Sequence, residues 1–146
     1  MPTLDKTITQ LNHLLMTSHD ASLSYRRLAG STGTSEQQQR LLSERAQQCA
    51  LLMDCLHNQI LTYGGIPAER PSVPGVLRHA WNSLTAALFR PQRGRARLRA
   101  ALRTEKQIRH GFEQLFAEEL SPQFRQQLQE HNSRSIEFER LIRARL

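Results

Sequence analysis

Residues 96–118 read ARLRAALRTEKQIRHGFEQLFAE, and the position of one acid within them decides how the chain is read. Leu98, Ala101, Glu105, Ile108, Phe112 and Leu115 recur at steps of three and four, the spacing that aligns side chains on one face of an α-helix. All but Glu105 are apolar, so a single carboxylate sits midway along a stripe that is otherwise suited to a core. Burying a carboxylate is costly unless something neutralises it. The segment therefore predicts a helix packed among others, with an arrangement around Glu105 that answers its charge.

The flanking sequence supplies those other helices. Upstream, Ile8, Leu11, Leu15, Ser18, Ser22, Tyr25 and Ala29 share one face of a segment running from about Leu4 to Ala29, which Gly30 to Gly33 stop. Thr34 or Ser35 then caps a second segment carrying Leu41, Leu42, Ala46, Cys49, Met53, Leu56 and Ile60, which ends at Tyr63-Gly64-Gly65. Pro67, Pro71 and Pro74 mark a long connection, and Val76, Leu77, Ala80, Trp81, Leu84 and Leu88 predict a short helix before Pro91 and Gly94. Downstream, Ser121-Pro122 places a capping side chain before a proline at the first helical position. The last helix carries Phe124, Leu128, His131, Ser135, Phe138 and Ile142, and it closes on Arg143 and Arg145. Two antiparallel hairpins joined by a long crossover that contains a short helix make an all-α four-helix bundle, spanning residues 1–146 as one domain.

Composition agrees with that class. The 146 residues are 38% hydrophobic but only 5% aromatic, and they are rich in the straight-chain residues that lose little freedom in a helix. Cys49 and Cys55 lie six apart on one predicted helix, too far to bridge each other, and read as reduced core thiols. The opening MPTLDKTITQLNHLL lacks the basic patch and apolar run of a signal peptide, and no segment reaches the roughly 20 apolar residues of a membrane span. The expected setting is cytoplasmic.

Glu44, midway along the second segment, joins Glu105 as a candidate metal ligand, since bundles of this connectivity can hold two metals on carboxylates and histidines of facing helices. The structural alternative is a buried network in which Arg45, Arg103 or Arg109, or a serine or histidine, answers these glutamates. Several motifs also resemble a bacterial ferritin-like four-helix-bundle family of unknown function. They are Ile8-x-x-Leu11-Asn12 running to Asp20, Glu44-Arg45-Ala46-Gln47-Gln48, Tyr63-Gly64-Gly65-x-Pro67, His79-Ala80-Trp81, Thr104-Glu105 and Leu128-Gln129. The resemblance implies a ferritin-like fold with metal held by buried carboxylates. This chain departs from it with Ser22 where the family commonly has glutamate and Ser135 where it has histidine, and it lacks the Glu-x-x-His pairs. Glu44, Glu105 and His131 are then a thin ligand set for iron or manganese.

The net charge is +7, and the stretch from Arg90 to Arg109, with Arg93, Arg95, Arg97, Arg99 and Arg103, predicts a basic corner. Without interleaved aromatics or a recognition motif, any nucleic-acid binding there is expected to be electrostatic and not sequence-specific. Three functions follow. The leading expectation is a non-enzymatic ferritin-like bundle, without cofactor, that acts through an unidentified protein partner in stress physiology and pairs as a homodimer through apolar positions such as Leu14, Leu23 and Leu61. The others are a di-iron or di-manganese oxidase or metal store using Glu44 and Glu105, helped by His131 or Glu137, and a polyanion binder using the arginine stretch.

Overall fold

The computed structural model of the chain describes residues 2–31, 33–68 and 94–146. Within them the chain forms four helices: α1 (Pro2–Ala29), α2 (Glu36–Thr62), α3 (Arg95–Phe116) and α4 (Pro122–Arg143). The short helix expected over Val76–Leu88, with His79 and Trp81, lies outside the described residues, as do Arg90 and Arg93.

The helix boundaries follow local chemistry. Ser35 caps α2 by accepting the Gln38 N–H at 3.2 Å, and Ser121 caps α4 by accepting that of Phe124 at 3.4 Å. At the end of α2, Gly64 adopts φ +81°, and the N–H groups of Gly65 and Gly64 return to the carbonyls of Ile60 and Leu61 at 2.9 and 3.0 Å. This is a Schellman stop, which satisfies carbonyls that the helix leaves without partners. By contrast, α3 begins at Gly94 with no side-chain cap and no acid in its first turn.

Cross-helix contacts fix the directions. Lys6 near the start of α1 pairs with Glu118 beyond the end of α3 at 3.2 Å, while Tyr25 late in α1 reaches the Ala101 carbonyl early in α3. Thus α1 and α3 are antiparallel. Between α2 and α4, the Cys55 thiol lies 3.5 Å from the Gln127 side chain, and the Ser121 N–H donates to the Tyr63 hydroxyl at 3.4 Å, so these helices also run antiparallel. It follows that α2 ends and α3 begins at opposite ends of the bundle. A 22-residue helix such as α3 is about 33 Å long.

Leu11, Leu56, Ile108, Leu115, Leu128 and Ile142 line the centre and are wholly or almost wholly buried. Leu14, expected on the surface, belongs there too, with no exposure. It packs against Gly111, where an added Cβ would meet Leu14 Cδ1 at 2.8 Å, so the glycine lets α1 and α3 approach. Leu23 is half-buried, while Leu61 is exposed. On α2, Leu41 and Met53 are only partly buried, and the inward positions belong to Leu42, Arg45, Ala46, Cys49, Leu52, Leu56 and Ile60.

The turn after α2 is strapped to α1. Asn12 donates to the Ile66 carbonyl at 3.1 Å and accepts the Ala68 N–H at 2.6 Å. Gly65 lies so close to α1 that a Cβ would sit 2.7 Å from Ile8 Cγ2 and 3.1 Å from Ile60 Cγ2. Two stiff, branched side chains leave no room there. Gly65→Ala is expected to lower stability by about 1–3 kcal/mol in urea unfolding, and the loss should shrink when Ile8 is also alanine. An equal loss in both backgrounds would show that this contact does not set the requirement for glycine.

Candidate functional site

Halfway along the bundle, one side chain from each helix converges on Glu105, which has no exposed surface. From α2, Arg45 donates through Nη2 to Oε1 at 2.9 Å and through Nε to Oε2 at 3.1 Å, forming a bidentate pair. From α4, the Ser135 hydroxyl donates to Oε1 at 2.6 Å. From α1, the Tyr25 hydroxyl donates to Oε2, and its oxygen lies 3.2 Å from the Ala101 carbonyl. The remaining fork of Arg45, Nη1, donates to Gln48 Oε1 at 3.1 Å. Four donors meet about four lone-pair sites, so the acceptor capacity of the carboxylate is filled.

Packing holds these groups in place. The Tyr25 ring meets Phe138 edge-on at 5.3 Å and 62°, and the Arg45 guanidinium lies 5.7 Å from the centre of the same Phe138 ring. Ser22, one turn before Tyr25, donates to the Ala46 carbonyl at 3.0 Å and ties α1 to α2 beside the network. Burial, and then the Glu105 charge, raise the Tyr25 pKa well above its usual value, so the phenol stays a proton donor. Burial works against the charge of Arg45, but Glu105 together with Cys49 and Tyr25 outweighs it, and the guanidinium is held more firmly protonated than usual. The nearby Cys49 thiol is pushed up to about 12 by burial, with Arg45 partly opposing and Glu105 adding, so it is not a thiolate near neutral pH.

The candidate metal ligands are not brought together. Glu44 is exposed, because one residue turns an α-helix by about 100° and Arg45 holds the inward place. His131 is half-buried in a groove between α2 and α4, beside Leu51, Cys55 and Gln127, and no hydrogen bond joins it to Glu105 among the described residues. Burial, followed by Arg134 and Arg45, lowers its pKa. Glu137 is an exposed partner of Arg140. Among the described residues, no group of three or more His, Cys, Asp or Glu side chains is placed to hold a metal ion. The residues around Glu105 do not fit a two-metal centre: a fixed cation already engages both carboxylate oxygens, and Ser22 and Ser135 add no negative charge.

The arginine stretch is also divided. Arg95, Arg99 and Arg103 are exposed, whereas Arg97 is 3% exposed and Arg109 pairs with Glu139 at 2.6 Å. It is therefore not a continuous solvent-facing corner. Arg97 follows Gly94 and precedes Leu98 and Ala101 on the inward side of α3, a position that an apolar stripe beginning at Leu98 does not include. Sequence reading leaves Tyr25 out of the network altogether, and it names Arg45 only beside Arg103 and Arg109. The signal for Arg45 was its place three residues after Leu42 and four before Cys49, an arginine at a core step opposite an otherwise unanswered Glu105.

Removing one member of a buried ion pair costs about 3–5 kcal/mol, because the other charge is left uncompensated. Arg45→Met and Glu105→Leu should each lose about that much in denaturant unfolding, and the double variant should lose clearly less than their sum. Additive losses would mean the two groups are not coupled. His131 gives a pH signature. Its folded pKa lies below the ordinary 6.5, so between those two values the unfolded chain binds more protons, and the stability contributed is present above about 6.5 and lost as the pH falls. His131→Gln should flatten that part of the stability profile, and an unchanged profile would count against it.

No curated protein matches the chain. A family model described as a domain of unknown function, DUF2383, matches residues 6–118, which takes in Tyr25, Arg45 and Glu105 and stops before α4 and Ser135. A match over that share of the 146 residues places this chain in the DUF2383 family.

Proposed function

We propose that this chain is a ferritin-like bundle in which an arginine stands where a metal-binding relative would hold its cation, and that it works as a non-enzymatic interaction protein. The observation that carries the reading is the bidentate Arg45–Glu105 pair, completed by Tyr25 and Ser135. With its lone pairs engaged, Glu105 is neither an open ligand nor a free base. The buried centre then serves to hold four helices in register, and the surface is left to do the work. A second copy of the chain is the simplest partner, and the exposed Leu51, Leu61 and Ile66 are the side chains it would cover.

The test is elemental analysis of untagged protein made in cells supplemented with iron and manganese, beside a Glu44→Gln/Glu105→Gln variant. Background metal in both is expected. Stoichiometric iron or manganese in the parent, lost in the variant, would overturn the reading in favour of a di-metal oxidase or store.

A further inference from the structure

The antiparallel packing gathers charge at one end of the bundle. The contact of Tyr25 with Ala101 sets the end of α1 beside the start of α3, and α4, which starts at the other end where Ser121 meets Tyr63 and passes Glu105 at Ser135, brings its last turns to the same end. Arg26 and Arg27, Arg95 and Arg99, and Arg145 are exposed there, with the exposed Arg103 nearer the middle. None of the six forms an ion pair with a described residue. The opposite half exposes Asp5, Asp54, Glu113, Glu119 and Glu130 beside Lys6, while the exposed acids Glu36 and Glu137 of the arginine half are each paired with an arginine of their own helix. A reading confined to the stretch from Arg90 to Arg109 misses half of this surface, because α1 and α4 supply it from distant parts of the sequence.

From this we propose that the arginine end of the bundle binds the phosphate backbone of duplex nucleic acid without reading its sequence. All six cations are arginine, whose planar fork suits phosphate oxygens and is less strongly hydrated than an ammonium. On α3, Arg95, Arg99 and Arg103 are spaced one turn apart, a row of donors at roughly 6 Å intervals. A membrane surface fits less well, since interfacial binding draws on inserted apolar side chains, and of the exposed large apolar residues, Leu4, Leu51, Leu61 and Ile66 lie on the other half of the molecule, with Ile136 and Leu146 on the arginine half. An acidic protein partner fits less well too, because tight protein interfaces centre on buried apolar or aromatic anchors. The phosphate backbone asks only for charge and hydrogen bonds. This inference goes beyond the scaffold reading, whose own test is metal content, so either can fail without the other.

The experiment is fluorescence anisotropy of a labelled random-sequence duplex of about 25 base pairs, titrated with the full chain from about 50 to 200 mM salt. Binding that weakens steeply with salt is expected. Arg27→Gln/Arg95→Gln/Arg99→Gln should raise Kd at least ~10-fold and lower the log–log salt slope by about 2–3, while the charge-matched Lys6→Gln/Lys106→Gln/Arg134→Gln stays within ~2-fold of the parent. Far-UV circular dichroism checks helicity, and Arg26→Glu/Arg145→Glu provides an independent variant that should lose binding in the same way. No duplex binding at the lowest salt, equal losses in the arginine and control triples, or tighter binding to phosphatidylglycerol–phosphatidylcholine vesicles at matched phosphate would each overturn the proposal.

Discussion

The bundle depends on the need to bury a carboxylate. Glu105 has no exposed surface, and an ionised group in that position is tolerated only when its charge and lone pairs are answered. The answer comes from all three other helices at one level: Tyr25 of α1, Arg45 of α2 and Ser135 of α4. Apolar packing attracts the helices to one another but fixes their axial offset weakly. A directional network of this kind penalises sliding, since shifting any helix by one turn would leave a buried charge or donor without its partner.

The same constraint explains why the sequence discloses the fold more readily than the site. Helical periodicity is a property of single segments, so the long helices, the Ser35 and Ser121 caps and the Gly64 stop can be read locally. The stripe through Leu98, Ala101, Glu105 and Ile108 is buried as its spacing implies. Glu44 and Arg45 show where local reading fails. They are adjacent, both are charged, and either could face inward on a helix whose apolar positions are broad; only the location of Glu105 on α3 decides between them. Arg97 and Leu14 illustrate the same dependence, since their burial is set by neighbours far along the chain.

Arg45 also alters the chemistry open to the centre. A bound metal brings exchangeable positions and redox change, whereas a guanidinium is a permanent, fixed cation with a set geometry. Cys49, the nearest potential nucleophile, is kept protonated by burial. The centre is therefore chemically quiet, which shifts attention to the surface, where the exposed Arg26 and Arg95 lie at one end of the molecule and Asp5 and Glu119 at the other.

The network has a consequence for how the chain acquires its structure. Its bonds link residues 80, 60 and 30 positions apart along the chain. When α1 and α2 have left the ribosome and α3 has not, Arg45 has no carboxylate to meet, and closing the first hairpin tightly would strand its charge away from water. Desolvation of that face waits for α3 and α4, so the final collapse is a late event shared by both hairpins. A high separation between contacting residues slows such a step, and because each hairpin supplies two of the four groups, neither can complete the network alone.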